Sequence, residues 1–576
     1  MKITKFGKTL TVKNWKGERL TNRYIGLDTE TPMIQDRETP KLVITCAYDG
    51  SDNVWIITNH RIMEFLSLHS KHTFILHNFY FDMKVITAHC GWDWIPQIEA
   101  GLIYDTQLLF KLAWIGTYGY TLKRSSLDFC VEKLLNEVLP KDNDIRLTFG
   151  QFIRKDGSIA YNDISNAHLV YALLDPVATL LVFFELKRMI SLLPTSTMCA
   201  HKIHLMGDIA LKDISDRGLN VDTYQADVYR SYLELLGSKP EEALNSYGYF
   251  IGKKGNKKVY DQIMLDNGID SLPITKTGNF SQKVEDLDPY INTCYFVKAF
   301  IDYMDLKKEK DFLRLMVNER IYPDYDSIKK TGRTGCKRPN IQNPPRRPGI
   351  RNCFLPKRNH VFVDADYSSI EMYTQAYYLK TLYGESNMYD QLQLGKDLHI
   401  FVGSSIYNVS EDNVDSQQRQ SSKIANYGFL SGMTAQTFVD YSKQLGAKFT
   451  LDEAKFIRAG WVKAYPEIEQ HWLRSYKEKT FISDSGFVRA NCGSTHWLNT
   501  HFQGKAAEGA KLALWLLYKE KIPSVAFIHD QIILESPIDL AHDHAKALKR
   551  CMEEGMKLVC PMNIEVDTEF KYNLGK

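Results

Sequence analysis

The chain is 576 residues long, too long for one compact core, so two or more domains are expected. A 44% hydrophobic and 24% charged composition fits a soluble globular protein. No apolar run approaches the ~20 residues of a membrane span, and no signal-peptide core opens the chain. The 10 scattered cysteines contain no CxxC pair, which argues against a disulfide framework or structural zinc and for a reducing, cytoplasmic setting with no membrane partner.

In chain order, the first 190 residues alternate short β-branched or aromatic runs (YIGLDTE, KLVITCAY, NVWIIT, HTFILH) with helical stretches, the pattern of an α/β domain. A long apolar helix is expected from about Asn166 to Leu193, with Pro176 threatening to kink it. Residues 200–325 read as mostly helical, broken by a loop GKKGNKK from Gly252 to Lys258. The net charge of +3 hides a cluster: Ser327 to Val363 holds ten Lys or Arg and no acid. Its Pro and Asn content predicts an extended segment suited to phosphate contacts. A strand (HVFVDADY) follows, then helices over about 371–480. In SVAFIHDQIILE two apolar runs flank His529–Asp530, which predicts a hairpin with that pair at its tip.

Two sets of acids stand out. In YIGLDTE the strand period puts Asp28 and Glu30 on one face. HNFYFD adds Asn78 and Asp82, and the long helix adds Tyr171 and Asp175, one turn apart. Four carboxylates and a tyrosine from three elements suit two divalent ions and a water for phosphodiester hydrolysis. The second set is Asp366 and Asp530, near the basic segment, with Asp364 an equal rival to Asp366 by periodicity alone. Between them, RQSSKIANYGFLSG places Arg419, Lys423, Tyr427 and Ser431 in an i, i+4 row, two cations and a ring that suit a triphosphate with its sugar or base.

The first set, in the order DxE, NxxxD, YxxxD, resembles the DEDD exonucleases in their tyrosine-bearing branch. DYSSIE (Asp366–Glu371), RxxxKxxxYG (Arg419–Gly428) and the HD pair (His529, Asp530) resemble motifs A, B and C of family A DNA polymerases. TGRTGCKRPNIQNPPRR, GKDLH and NTHFQG resemble further segments of that family, in its order along the chain.

The resemblance implies a ribonuclease H-like exonuclease domain, residues 1–195, and a right-hand polymerase domain, residues 196–576. The thumb would span about 200–325, the palm about 327–400 and 485–576, and the fingers about 401–484. It implies Asp28, Glu30, Asp82 and Asp175 as exonuclease ion ligands, with Tyr171 placing the water and Asp105 structural. Asp366 and Asp530, with Tyr367, would hold the polymerase ions, two Mg²⁺ per site with Mn²⁺ able to substitute. Arg419 and Lys423 would hold the dNTP, Lys423 also protonating pyrophosphate. Tyr427 would stack beside the nucleotide, Glu371 press on its sugar, and His529 lie near the primer end. Arg333, Asn340, Gln342, Arg347, Arg351, Asn499 and Gln503 would touch primer–template DNA. A processivity factor, helicase or single-strand binding protein is a candidate partner.

Two positions depart from the family: Ser431 stands where Tyr is usual, and Gln531 follows HD where Glu is usual. The length, without room for a 5′-nuclease domain, suggests a bacteriophage replicative enzyme. A single-subunit RNA polymerase and a non-catalytic nucleic-acid-binding scaffold are the rival readings. The exonuclease set and Glu371 weigh against the first, the complete ligand sets against the second.

Overall fold

The computed structural model describes residues 1–141, 143–345 and 349–575. Its N-terminal part is built on a seven-stranded mixed sheet in the order Lys2–Lys5, Lys8–Asn14, Asn53–Thr58, Ile44–Tyr48, Tyr24–Glu30, Thr73–Leu76, Ile103–Asp105. Tyr24–Glu30 runs antiparallel to Ile44–Tyr48 and parallel to Thr73–Leu76, which places the acid-bearing strand near the middle of a ribonuclease H-like layer.

The long helix Asn166–Ser191 lies against this sheet and continues through Pro176. It is long and apolar enough to cross a bilayer, which the sequence reading did not anticipate, but 67% of that stretch is buried inside the fold. Gly26 explains its close approach: a β-carbon there would come within 2.3 Å of the Pro176 carbonyl oxygen. That contact seats Asp175, the preceding residue, near Asp28 two positions along the strand.

The second large element is a four-stranded antiparallel sheet in the order Ser524–Ile528, Gln531–Pro537, His360–Tyr367, Val566–Lys571. Helices Ser494–Lys519 and Ala541–Lys557 pack together, and the second also packs on strand His360–Tyr367. Helices Thr223–Ser246 and Tyr295–Leu313 pair with each other, beside a small core centred on Tyr260, Phe296 and Phe300. The expected GKKGNKK loop is shorter than read, because Asn256 already opens helix Asn256–Asp266.

Packing does not break at residue 195. One apolar core runs from Leu27, Phe74 and Phe79 through Ile209 and Ile214 to Leu514 and Phe527. Polar ties cross the same boundary: Lys84–Asp216 at 2.6 Å, Lys111–Asp326 at 2.9 Å and Lys519–Glu99 at 2.6 Å.

Candidate active sites

Asp28, Glu30, Asp82, Tyr171 and Asp175 converge on one cavity of about 670 Å³. Asp82 accepts hydrogen bonds from the Thr29 main-chain nitrogen (3.0 Å) and hydroxyl (2.6 Å). Asp105 is structural, as expected: its carboxylate accepts from the main-chain nitrogens of Asn78, Phe79, Gln107 and Leu108, pinning two helix starts together. Burial pushes Asp28 and Glu30 far above the usual carboxylate range, and neighbouring Asp175 adds to both shifts. Burial raises Asp82 to about 7 against the pull of its Thr29 bonds.

Two cations at this site escaped the sequence reading. The Lys141 ammonium lies 2.6 Å from Asp175 Oδ2 and 5.3 Å from the Tyr171 ring centroid, while Arg146 lines the same cavity. Nothing in the spacing of LPKDNDIR ties these residues to the distant acids of the site.

At the second site, Asp364 and Asp366 line the same cavity and differ in their partners. Asp364 is buried and accepts from Gln531 Nε2 at 2.6 and 2.7 Å and from Lys571 Nζ at 2.6 Å, so its charge is already balanced. Asp366 opens onto a cavity of about 800 Å³ together with His529, Asp530 and Arg351. Its carboxyl is pushed up to about 7, by burial first and then by Asp530 and Asp364. Asp530 is raised too, chiefly by burial.

The predicted hairpin is present, with Ile528 paired to Gln531 and His529 in left-handed backbone (φ 61°) at the tip. A two-residue tip needs such a conformation, and it aims Asp530 back along the sheet. Burial and the nearby Arg333 hold the His529 imidazole below its usual range.

A neighbouring cavity of about 570 Å³ collects Arg419, Lys423, Tyr427, Asp397 and His399. Asp397 caps the helix Leu398–Tyr407 and also takes Arg419, through Nη2 at 2.7 Å and Nε at 3.0 Å. Lys423 makes no ion pair among the described residues. Tyr427 bonds Ser369, within the motif A segment. Ser431 is buried, closes the helix Ser416–Leu430 and donates to the Gly428 carbonyl at 2.8 Å.

Glu371 and Arg333 form an ion pair with each other, in a small cleft shared with Gln503, His529 and Asp530. Among the described residues the basic segment is not the extended run expected: turns flank the short strand Gly335–Lys337, and a 3-10 turn follows at Arg351–Cys353. Several of its charges are taken: Lys329 pairs with Asp326, and Lys337 and Arg338 with Asp324. Gln342 is 5% exposed and donates to Thr334, while exposed Asn340 accepts from the Gln342 main chain. Asn499 is partly buried, and its Oδ1 has no hydrogen-bond partner among the described residues. Arg347 lies outside the described residues. The Tyr367 phenol is buried and donates to the Met552 carbonyl at 2.7 Å, which leaves its main-chain oxygen as the atom it could offer an ion.

The sequence profile described as DNA polymerase family A matches residues 254–573, more than half of the chain. The chain belongs to DNA polymerase family A. A second profile, 3′-5′ exonuclease, matches residues 8–191 and covers the first acid site. DNA polymerase I of Aquifex aeolicus is 25% identical over 95% of this chain and 96% of its own length. DNA polymerase I of Borreliella burgdorferi is 24% identical over 95% of this chain but 62% of its own length. The chain thus spans less than two thirds of that longer relative. Among solved structures, the POL domain of Pol1 from M. smegmatis, in complex with DNA primer-template and dNTP, superposes with a TM-score of 0.73 at 18% identity, covering 96% of each chain. That likeness extends the family A fold along nearly the whole chain.

Proposed function

We propose that this chain is a template-directed DNA polymerase that uses dNTPs and proofreads with its own 3′-5′ exonuclease, both sites working with divalent ions. In this reading residues 1–195 form the exonuclease and 196–576 the polymerase, with thumb, palm and fingers divided as the motifs imply. The observation that carries it is the adjacency of two cavities. One holds Asp366 and Asp530 with raised carboxyls, the other a basic helix face of Arg419, Lys423 and Tyr427.

The donor sets suit hard cations. Raised, crowded carboxylates with few internal counter-charges gain most from a divalent ion, and an all-oxygen set favours Mg²⁺, with Mn²⁺ substituting. Asp366 and Asp530 would hold two ions in the polymerase site, and Asp28, Glu30, Asp82 and Asp175 two in the exonuclease site. When bound, such ions lower the pKa of an attacking hydroxyl or water and neutralise the leaving oxygen.

This chain's own residues do the rest. Arg419 and Lys423 face the nucleotide cavity and balance a triphosphate, and Lys423, without an ion pair among the described residues, is the proton donor for pyrophosphate. Glu371 limits the sugar's 2′ side, and Arg333, released from it, reaches the primer–template. Tyr171 orients the hydrolytic water beside Asp175.

A bacteriophage source draws no support from length, since the bacterial Aquifex relative matches over nearly its whole length. Replication or repair of duplex DNA accommodates both sites.

The test separates the sites. Asp366→Asn is expected to lower primer extension by on the order of a thousandfold or more, about 4 kcal/mol of barrier, while single-strand degradation persists. Asp28→Ala should do the reverse. Loss of both activities from either change in a folded chain would sink the two-site reading. Extension with rNTPs alone would favour an RNA polymerase, and a band shift without chemistry a scaffold.

A further inference from the structure

The four-stranded sheet carries more acid on its cavity face than Asp366 and Asp530 require. Strand His360–Tyr367 has a neighbour on each side, and the register sets Asp366 opposite Gln531 on one and opposite Asp567 on the other. Directly opposed residues of an antiparallel pair point to the same face, with β-carbons about 4.5–5.5 Å apart. Asp567 lines the same cavity as Asp366 and Asp530.

One rung along, Asp364 stands opposite Glu569 in the same way. Like charges placed so are destabilising unless compensated. That rung is compensated inside the chain: Lys571 Nζ lies 2.6 Å from Asp364 and 3.0 Å from Glu569, and the Gln531 amide adds two bonds to Asp364. The Asp366–Asp567 rung has no such cation among the described residues. Asp567 accepts a bond from the Ser368 hydroxyl at 2.9 Å, and Asp366 pairs with no Lys, Arg or His. The sheet thus supplies a lysine to one opposed acid pair and leaves the other, beside Asp530, to a cation from outside.

Gln531 completes the pattern. It holds the position after HD where the family usually has Glu, yet its amide is turned to Asp364 and presents no charge to the cavity. We propose that Asp567 is a third carboxylate of the polymerase ion site, supplied by strand Val566–Lys571 in place of the acid that Gln531 lacks. This rests on the reading that Asp366 and Asp530 hold divalent ions.

The experiment is Mn²⁺ binding, read by electron paramagnetic resonance of free Mn²⁺, to the full Asp28→Ala chain on a dideoxy-terminated primer–template with the next dNTP. Asp567→Asn should weaken Mn²⁺ binding roughly tenfold or more and raise the Mg²⁺ needed for half-maximal extension by a similar factor. Asp567→Glu, which keeps a carboxylate, should stay within a few fold of the parent, a contrast that a folding defect would not produce. Glu569→Gln, on the neutralised rung, should also stay close to the parent. An Asp567→Asn chain that binds Mn²⁺ within twofold of the parent overturns the proposal. Asp366→Asn is measured alongside. If it also leaves Mn²⁺ binding intact, the underlying ion-site reading has failed; if it alone weakens binding, only the role of Asp567 has.

Discussion

The two acid sites handle the same electrostatic difficulty in opposite ways. In the exonuclease site the carboxylates come from a strand and two helices, and a lysine from a fourth segment lies against Asp175. In the polymerase site the acids come from strands of one sheet and its hairpin tip, and the sheet's own lysine serves the neighbouring rung. Acids gathered from separate elements can relax apart or admit a side-chain cation. Acids on adjacent strands are fixed by register, and only the Asp364–Glu569 rung is given a lysine. The first arrangement is partly compensated by Lys141, whereas the Asp366–Asp567 rung has no such cation among the described residues.

The comparison can be broken at the exonuclease end first. If Lys141 serves that site, Lys141→Met should cut single-strand degradation by on the order of a hundredfold, the scale seen when one preorganised donor to a reacting phosphate or carbonyl is lost. Extension should be unchanged. A Lys141→Met chain with parental exonuclease rates would show that its contact with Asp175 is ornamental, and the contrast between the sites would vanish.

At the polymerase end, Tyr427 lines the cavity that holds Arg419 and Lys423, with its hydroxyl bonded to Ser369 of the same cavity. It can fill the place of a missing 3′-hydroxyl and make its bond near the triphosphate, which phenylalanine cannot. Tyr427→Phe, made in the Asp28→Ala background, should therefore spare dNTP use and reduce chain termination by ddNTPs. The expected factor is ten to a hundredfold, on the order of a charged-group hydrogen bond. Equal termination by both forms would move Tyr427 away from the sugar.

A smaller effect is expected at Gly26, where the strand and the long helix meet. Gly26→Ala drives a methyl group against the Pro176 carbonyl and should cost about 1–3 kcal/mol, read as a lowered denaturation midpoint. Exonuclease activity should fall with it, since Asp175 follows the helix. Unchanged stability would mean that the helix can retreat without loss.

The strands that bear Asp28 and Asp366, the hairpin at His529–Asp530 and the long helix were legible in the sequence, because each has a period or a turn signal of its own. Pairings between distant segments were not. Asp364 and Asp366 are equivalent by alternation, and only the partner strands, with Lys571 and Gln531, tell them apart. Asp567 and Lys141 are invisible for the same reason: their meaning depends on what folding sets beside them. Arg333 and Glu371 were both noticed, yet their pairing with each other was not. Pro176 was expected to disturb its helix, yet the helix continues through it, and Gly26 lets the facing strand approach the Pro176 carbonyl.

The unbroken core between the two halves has a kinetic consequence. With Lys84, Lys111 and Lys519 tied across the seam and apolar packing continuous beneath them, the halves form one stiff body. On the proposed function, a mispaired primer end must then travel to the exonuclease while the protein stays still. Travel requires the terminal base pairs to come apart, at a few kcal/mol that mismatches have already partly spent. Excision would thus be gated by how readily the DNA frays, and the enzyme would discriminate errors through the melting of its own product.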